Sequence, residues 1–354
     1  MEKTKYYSWK SGALPKGCQY CIKGQKLVLF VTGLCPRSCF YCPISEKKYK
    51  KDVVYADEWP IKSDREILKE AELIDAKGAG ITGGDPLARI ERTVKYIKLL
   101  KKKFGKKFHI HLYTSLDLVD EKKLKKLYNA GLDEIRIHPD VYSDRLWQKM
   151  DLVTKYDWDV GVEIPSIPNS KRQTEKMIDF FKDKIDFLNI NELEIADNSA
   201  QKLGTFVPKS RISYGVKGSE ELAKYLLKKY KKKMGKIHYC TTKLKDRVQL
   251  GTRIRRRAKN VKKLYDYVTE EGMLFRGAIY SHDFSKLNEL KNYLIKKYRI
   301  PEKLFEADKK KSRLLTSVKV AEELKEEIKE KGFKPAIVTE YPTWDQLPVD
   351  IEYL

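Results

Sequence analysis

The chain has 354 residues, 41% hydrophobic and 35% charged, with a net charge of +24, enough for one large core or two domains. No apolar run approaches ~18 residues, which excludes a membrane-spanning helix. The stretch Met1–Lys10 has no apolar h-region, which excludes a signal peptide and leaves a cytoplasmic protein as the expectation. Lysine far outnumbers arginine while asparagine and glutamine are scarce, a balance typical of hyperthermophile proteins.

The first feature along the chain is Cys18-Gln-Tyr-Cys21, flanked by Gly17 and Gly24. Six apolar runs rich in β-branched residues then follow: 26–33, 79–83, 109–115, 134–139, 159–166 and 187–197. Such runs suit buried parallel strands. Amphipathic helices are predicted between them. Ser63 and Glu66 form a capping-box signal for a helix to about Ala76, and further helices are expected over 90–104, 120–130 (closed by Gly131), 144–156 and 171–185. Six strands alternating with helices predict a partial (βα)6 TIM-like barrel. After residue 197 the pattern changes to turn chemistry over 202–218 and a basic helix over 219–234. A smaller C-terminal α/β extension is then expected, with strands over 273–281 and 334–340 and helices over 283–297 and 312–331. The expected organisation is an N-terminal segment 1–25, a barrel 26–235 and a C-terminal domain 236–354.

In such folds chemistry gathers at the C-terminal ends of the strands. Those ends are polar here: Cys35–Cys42, Gly83-Gly-Asp-Pro86, Thr114-Ser115, His138-Pro-Asp140, Glu163-Ile-Pro-Ser166 and Glu192–Asp197. The first is Cys35-Pro-Arg-Ser-Cys39-Phe-Tyr-Cys42. Three thiolates at this spacing can hold three irons of a four-iron cluster and leave the fourth open to a chelating amine and carboxylate. The rival for these cysteines is a zinc knuckle pairing Cys39/Cys42 with Cys18/Cys21, which leaves Cys35 spare.

The C-x3-C-x-aromatic-C pattern, with Tyr41 in the aromatic place, resembles the signature of the radical S-adenosylmethionine (SAM) superfamily. Ile81-Thr-Gly-Gly-Asp-Pro-Leu87 is similar to that family's Gly-Gly-Glu turn after strand two, with Asp85 in place of Glu. The resemblance covers roughly residues 26–197. More narrowly, the chain resembles archaeal proteins related to pyruvate formate-lyase activating enzyme. The family implies a [4Fe–4S] cluster on Cys35, Cys39 and Cys42, SAM on the open iron, an electron donor, and generation of a 5′-deoxyadenosyl radical. It implies that Gly83, Gly84 and Asp85 meet the methionine amine. Tyr41, Thr114, Ser115, Arg136, His138 and Glu163 are carried over as candidates for the SAM pocket. His109 and His111 read as structural.

Cys18, Cys21 and Cys240 remain. Three plus three is the arithmetic of two clusters, so an auxiliary iron–sulfur centre is expected. A Cys3His zinc site that includes His238, and no metal at all, are the rivals. Between Lys224 and Lys263 there are 17 Lys or Arg and one acid, Asp246. If helical, Arg253, Arg256 and Arg257 share a face; with Arg255 and Lys259 they form a candidate anion site suited to phosphate. The leading expectation is therefore RNA modification, with tRNA the first candidate. The alternatives are activation of a glycyl-radical protein partner and modification of a small phosphorylated metabolite. A zinc-bearing nucleic-acid-binding protein is the non-enzymatic rival.

Overall fold

The computed structural model describes residues 1–196 and 198–354. Asp197, the last residue of the sixth expected strand, lies outside the described residues. The chain divides into two compact units, Met1–Leu250 and Gly251–Leu354. No helix among the described residues is long and apolar enough to cross a membrane.

The first unit is built on seven parallel strands: β1 Lys26–Phe30, β2 Gly78–Thr82, β3 His109–Thr114, β4 Glu134–Ile137, β5 Asp159–Ser166, β6 Phe187–Glu192 and β7 Ile237–Cys240. They lie side by side in chain order, as right-handed βα crossovers require. Helices α1 Lys16–Cys21, α2 Asp64–Leu73, α3 Ile90–Phe104, α4 Glu121–Ala130, α5 Lys171–Phe181 and α6 Ser219–Tyr230 belong to this unit. The main core joins the strands to α2–α6 through residues such as Leu27, Ile81, Leu112, Ile135, Ile164 and Leu226.

Local signals set the helix ends. Glu66 accepts from the Ser63 amide at 2.9 Å, closing the capping box of α2. Asp120 accepts from the Lys123 amide at 2.8 Å to start α4, and Gly131 takes the left-handed conformation (φ 92°) that ends it.

Three expectations for the first unit are corrected. The seventh parallel strand, β7, moves the boundary from 236 to 250/251, because its residues extend the first sheet rather than open a new domain. Residues 1–25 are not a separate segment either, since Trp9–Ser11 pairs antiparallel with β7. The helix expected over 144–156 shrinks to a 3₁₀ turn, Trp147–Lys149, and a single α turn, Met150–Val153. There the buried Trp158 indole donates to the Val153 carbonyl at 3.0 Å and takes up an acceptor that a longer helix would use. Lys202–Gly218 contains a two-stranded hairpin, Pro208–Ser210 with Ser213–Val216.

The second unit has α7 Gly251–Val261, strands β8 Tyr267–Val268, β9 Leu274–Tyr280, β10 Glu306–Asp308, β11 Arg313–Thr316, β12 Lys334–Glu340 and β13 Pro348–Tyr353, and helices α8 Phe284–Tyr298, α9 Val318–Glu323 and α10 Lys325–Glu330. Its sheet is wholly antiparallel. Part of the helix expected over 312–331 is strand β11. Leu314 and Leu315 are buried between neighbouring strands, and Ser317 starts α9 by accepting from the Val320 amide. Arg276 and Arg313 are buried in this unit with Asp266, Asp308 and Glu340 as their counter-charges.

Candidate active site

The turns after β1 and β2 are locked together through backbone. The Gly84 amide donates to the Thr32 carbonyl at 2.6 Å and the Asp85 amide to the Leu34 carbonyl at 2.8 Å. A Cβ at Gly84 would lie 2.4 Å from the Leu34 carbonyl oxygen, so only glycine permits this approach. The cysteine loop and the Gly83-Gly84 turn thus form one rim.

Cys35, Cys39 and Cys42 are free, half-buried thiols on this rim. All three line a single cavity of about 520 Å³ that also meets Gly83, Gly84 and Glu163. Burial pushes the Cys35 thiol up to about 11, and the neighbouring Asp85, Cys39 and Cys42 add to the rise. Unliganded, this thiol stays protonated at neutral pH; a bound metal ion would favour the thiolate.

Tyr41 lines the same cavity and packs in a small core with Leu193, Leu203 and Val216, against which Cys39 and Phe40 also lie. Its hydroxyl lies 2.9 Å from His138 Nε2. His138 Nδ1 faces the Glu163 carbonyl at 2.8 Å, which fixes the proton on Nδ1 and leaves Nε2 to accept from Tyr41. Burial holds the His138 pKa down at about 4. Arg37 donates to the His138 carbonyl at 2.8 Å, so the loop is tied to the end of β4 at two points.

Asp85 is fully buried. Its carboxylate accepts from Thr114 Oγ1, Ser115 Oγ and the amides of Leu87 and Ser115 at 2.8–3.1 Å. Thr114 and Ser115 line the cavity, and their hydroxyls are engaged by Asp85. Glu163 accepts from Arg136, Asn189 and Asn191 at 2.8–2.9 Å. Burial alone would raise its pKa, but these donors hold it below the usual carboxylate range. Arg136 is 2% exposed, pairs with Glu134 and Glu163, and is not among the cavity-lining residues.

The cavity runs inward past His111 and Tyr113 to Cys21. His111 therefore belongs to the lining, although its mid-strand position reads as structural. Glu192, Glu194, Lys245 and Gln249 also line the cavity. The acids sit at the polar end of β6, where the sequence pointed, whereas nothing local marks Lys245 or Gln249. His109 Nδ1 lies 2.8 Å from Lys26 Nζ.

Part of the basic run is paired within the protein. Lys224, Lys229, Lys245 and Lys263 pair with Glu220, Glu175, Glu194 and Glu306. Within the second unit Arg257 is buried and donates to the Pro342 carbonyl. Arg253, Arg255 and Arg256 are half-buried, and Lys259 is exposed. The glutamates that pair with these four lysines lie elsewhere in the sequence or just before the run, so a window count missed them.

A family model described as the Radical SAM superfamily matches residues 29–164, and one described as a domain of unknown function (DUF8061) matches residues 272–352. A protein of Methanocaldococcus jannaschii, named provisionally a glycyl-radical enzyme activating enzyme, is 41% identical over 364 aligned positions, which cover 99% of this chain and 95% of that protein. Streptococcus suis SuiB aligns at a TM-score of 0.43 and 12% identity over 61% of this chain and 49% of its own, so the chain spans about half the length of that structure. Methylornithine synthase (PylB) aligns at 0.42 and 14% over 62% of this chain and 71% of its own.

Proposed function

Because this chain belongs to the radical SAM superfamily of enzymes, we propose that it is an activating enzyme that removes a hydrogen atom from a glycine of a protein partner. The observation that carries this reading is the 41% identity, across nearly the whole chain, to the M. jannaschii protein of that provisional name. RNA modification rested on the basic run alone, and part of that run is already paired within the protein. None of the similar proteins named above is described as acting on RNA.

The family implies a [4Fe–4S] cluster and SAM, and the donors fit them. Three free thiols from one loop face a common cavity, with a glycine turn beside them that keeps its backbone accessible. When bound, the pair supplies one-electron cleavage of the SAM sulfonium, for which an external electron donor is needed. In this reading Cys35, Cys39 and Cys42 each hold one iron. Gly83 and Gly84 present backbone groups to the methionine end. Asp85 stiffens that turn from behind, through Thr114 and Ser115. Tyr41 and His138 fix the cysteine loop, and Glu163 gives the cavity wall a fixed negative charge. Arg136 serves by positioning Glu163.

The test is anaerobic incubation of the reconstituted protein with SAM, a reductant and a glycyl-radical enzyme, pyruvate formate-lyase first. The expected result is a protein-based glycyl radical signal by electron paramagnetic resonance, with backbone cleavage at that glycine on admitting air. Release of 5′-deoxyadenosine that rises with added tRNA and never with protein would reverse the assignment.

A further inference from the structure

Three cysteines outside the cluster loop meet inside the first unit. Cys18 and Cys21 lie three apart on α1 and so leave the same side of the helix. On β7, His238 and Cys240 are alternate residues and point to one face. The parallel register sets His238 beside Asn189 and Cys240 beside Asn191. Asn189 and Asn191 both donate to Glu163, and Asn189 Nδ2 also lies 3.3 Å from Cys18 Sγ. Helix and strand therefore converge on one spot from opposite ends of the unit. Cys21 lines the inner end of the cavity that carries Cys35, Cys39 and Cys42 on its rim. Gln249, another lining residue, is 3.8 Å from Cys240 Sγ.

Each sulfur has a cation near it, although burial itself works against the thiolate at Cys18 and Cys240. Arg136 Nη2 is 3.5 Å from Cys18 Sγ. Lys26 is electrostatically coupled to Cys21, and Lys245 to Cys240. Positive charge next to each sulfur is what a buried anionic centre requires. His238 is 1% exposed, and neither of its ring nitrogens has a hydrogen-bond partner. A buried imidazole without partners is uncommon, and a metal ligand is a role that would resolve it.

Spacing decides the kind of group. A single tetrahedral ion with sulfurs at ~2.3 Å needs them about 3.8 Å from one another. Among the described residues, the one trio of donors within 4.8 Å of each other is His109, Glu134 and Asp159, and it contains no cysteine. Neither cysteine triad is such a trio, so neither is set for one tetrahedral ion, and three thiolates per centre is the ligand count of an iron–sulfur cluster.

We propose that Cys18, Cys21 and Cys240 hold a second iron–sulfur cluster at the inner end of the cavity, with His238 as its fourth ligand. With all four irons held by protein, the centre has no open position for substrate. It takes one electron from an external low-potential donor and passes one electron to the centre at Cys35, Cys39 and Cys42. That role rests on the function proposed above; the binding itself does not.

The experiment is iron and acid-labile sulfide analysis of the anaerobically reconstituted full chain. Wild type should hold about eight irons, and the Cys35→Ala/Cys39→Ala/Cys42→Ala variant about four with a reducible cluster signal. The Cys18→Ala/Cys21→Ala/Cys240→Ala variant should also fall to about four. If either variant fails to fold by circular dichroism, the other and the wild-type count still decide. About four irons in wild type, or about one zinc without labile sulfide at the inner site, overturns the proposal. His238→Ala should keep its iron and shift the resonance of the inner cluster; an unchanged spectrum removes His238 as a ligand. A glycyl radical test that fails while the eight-iron count stands would sink the proposed substrate and leave the second cluster intact.

Discussion

The Asp85 carboxylate grips Ser115 twice, accepting from its amide at 3.1 Å and its hydroxyl at 2.8 Å. These bonds, with those from Thr114 and Leu87, join the glycine turn after β2 to the end of β3. Removing the carboxylate strands several buried donors, whereas removing the Ser115 hydroxyl strands only the half-buried Asp117 amide, which donates to it at 3.3 Å. Asp85→Ala should cost about 2–4 kcal/mol and Ser115→Ala about 1 kcal/mol. Equilibrium urea unfolding measures both, and equal losses would contradict this account.

Tyr41 fixes the cluster loop to the end of β4 through His138. Tyr41→Phe keeps the ring in its apolar pocket but leaves half-buried His138 Nε2 without its donor. A loss of about 1–2 kcal/mol is expected. The loop should also hold its iron less well. The rate at which a chelator strips iron from the reconstituted variant, compared with wild type, reads this directly.

Acid sensitivity should trace in part to Asp52. Arg92 and Arg89 donate to its carboxylate at 2.6–3.2 Å and Thr32 at 2.9 Å, holding its pKa well below the usual carboxylate range. A depressed folded pKa gives stability that is fully present above the unfolded value of about 3.9 and is lost as pH falls toward the folded value. Asp52→Asn should therefore be less stable than wild type at neutral pH, with the gap closing below about pH 4. Urea midpoints across that range test it; a gap independent of pH would refute the charge argument.

Gly17 lets α1 seat against a buried ionic cluster. A Cβ there would lie 2.5 Å from Arg136 Nη2, 2.7 Å from His111 Nδ1 and 2.9 Å from Glu134 Oε1. Gly17→Ala should cost about 1–3 kcal/mol by overpacking and should disturb Cys18, the next residue. Thermal unfolding gives the first effect. Iron content in the background lacking Cys35, Cys39 and Cys42 gives the second.

In the second unit, Glu340 is fully buried and serves Arg276, Arg313 and Lys311. Truncation leaves buried guanidinium charge short of a partner, so Glu340→Ala should cost about 3–5 kcal/mol. Proteolysis under native conditions should then open 251–354 first, while the first unit keeps its fold.

The sheet of the first unit was legible because each strand is a short buried run closed by a polar residue, and each helix carries its own cap, as Ser63 and Gly131 do. β7 was harder to read. Ile237-His-Tyr-Cys240 is four residues long and half polar, and only its pairing with β6 and Trp9–Ser11 makes it a strand. Ser312–Lys331 misled for a related reason: its helical composition outweighed the four residues at its start that sheet pairing claims. Among candidate site residues, those next to a signature could be read locally. Arg136, Lys245 and Gln249 could not, since their roles depend on carboxylates and thiols far away in the chain.

The sequence by itself determined the chemistry, because three thiols spaced within one loop bring their geometry with them wherever the loop sits. Tertiary structure alone decided which charges are already paired, and it set Cys18 against Asn189 and Cys240 beside Asn191. Ion pairing and metal-site assembly depend on distances in space, and a strand register or a helix seat sets those distances only once the chain has folded.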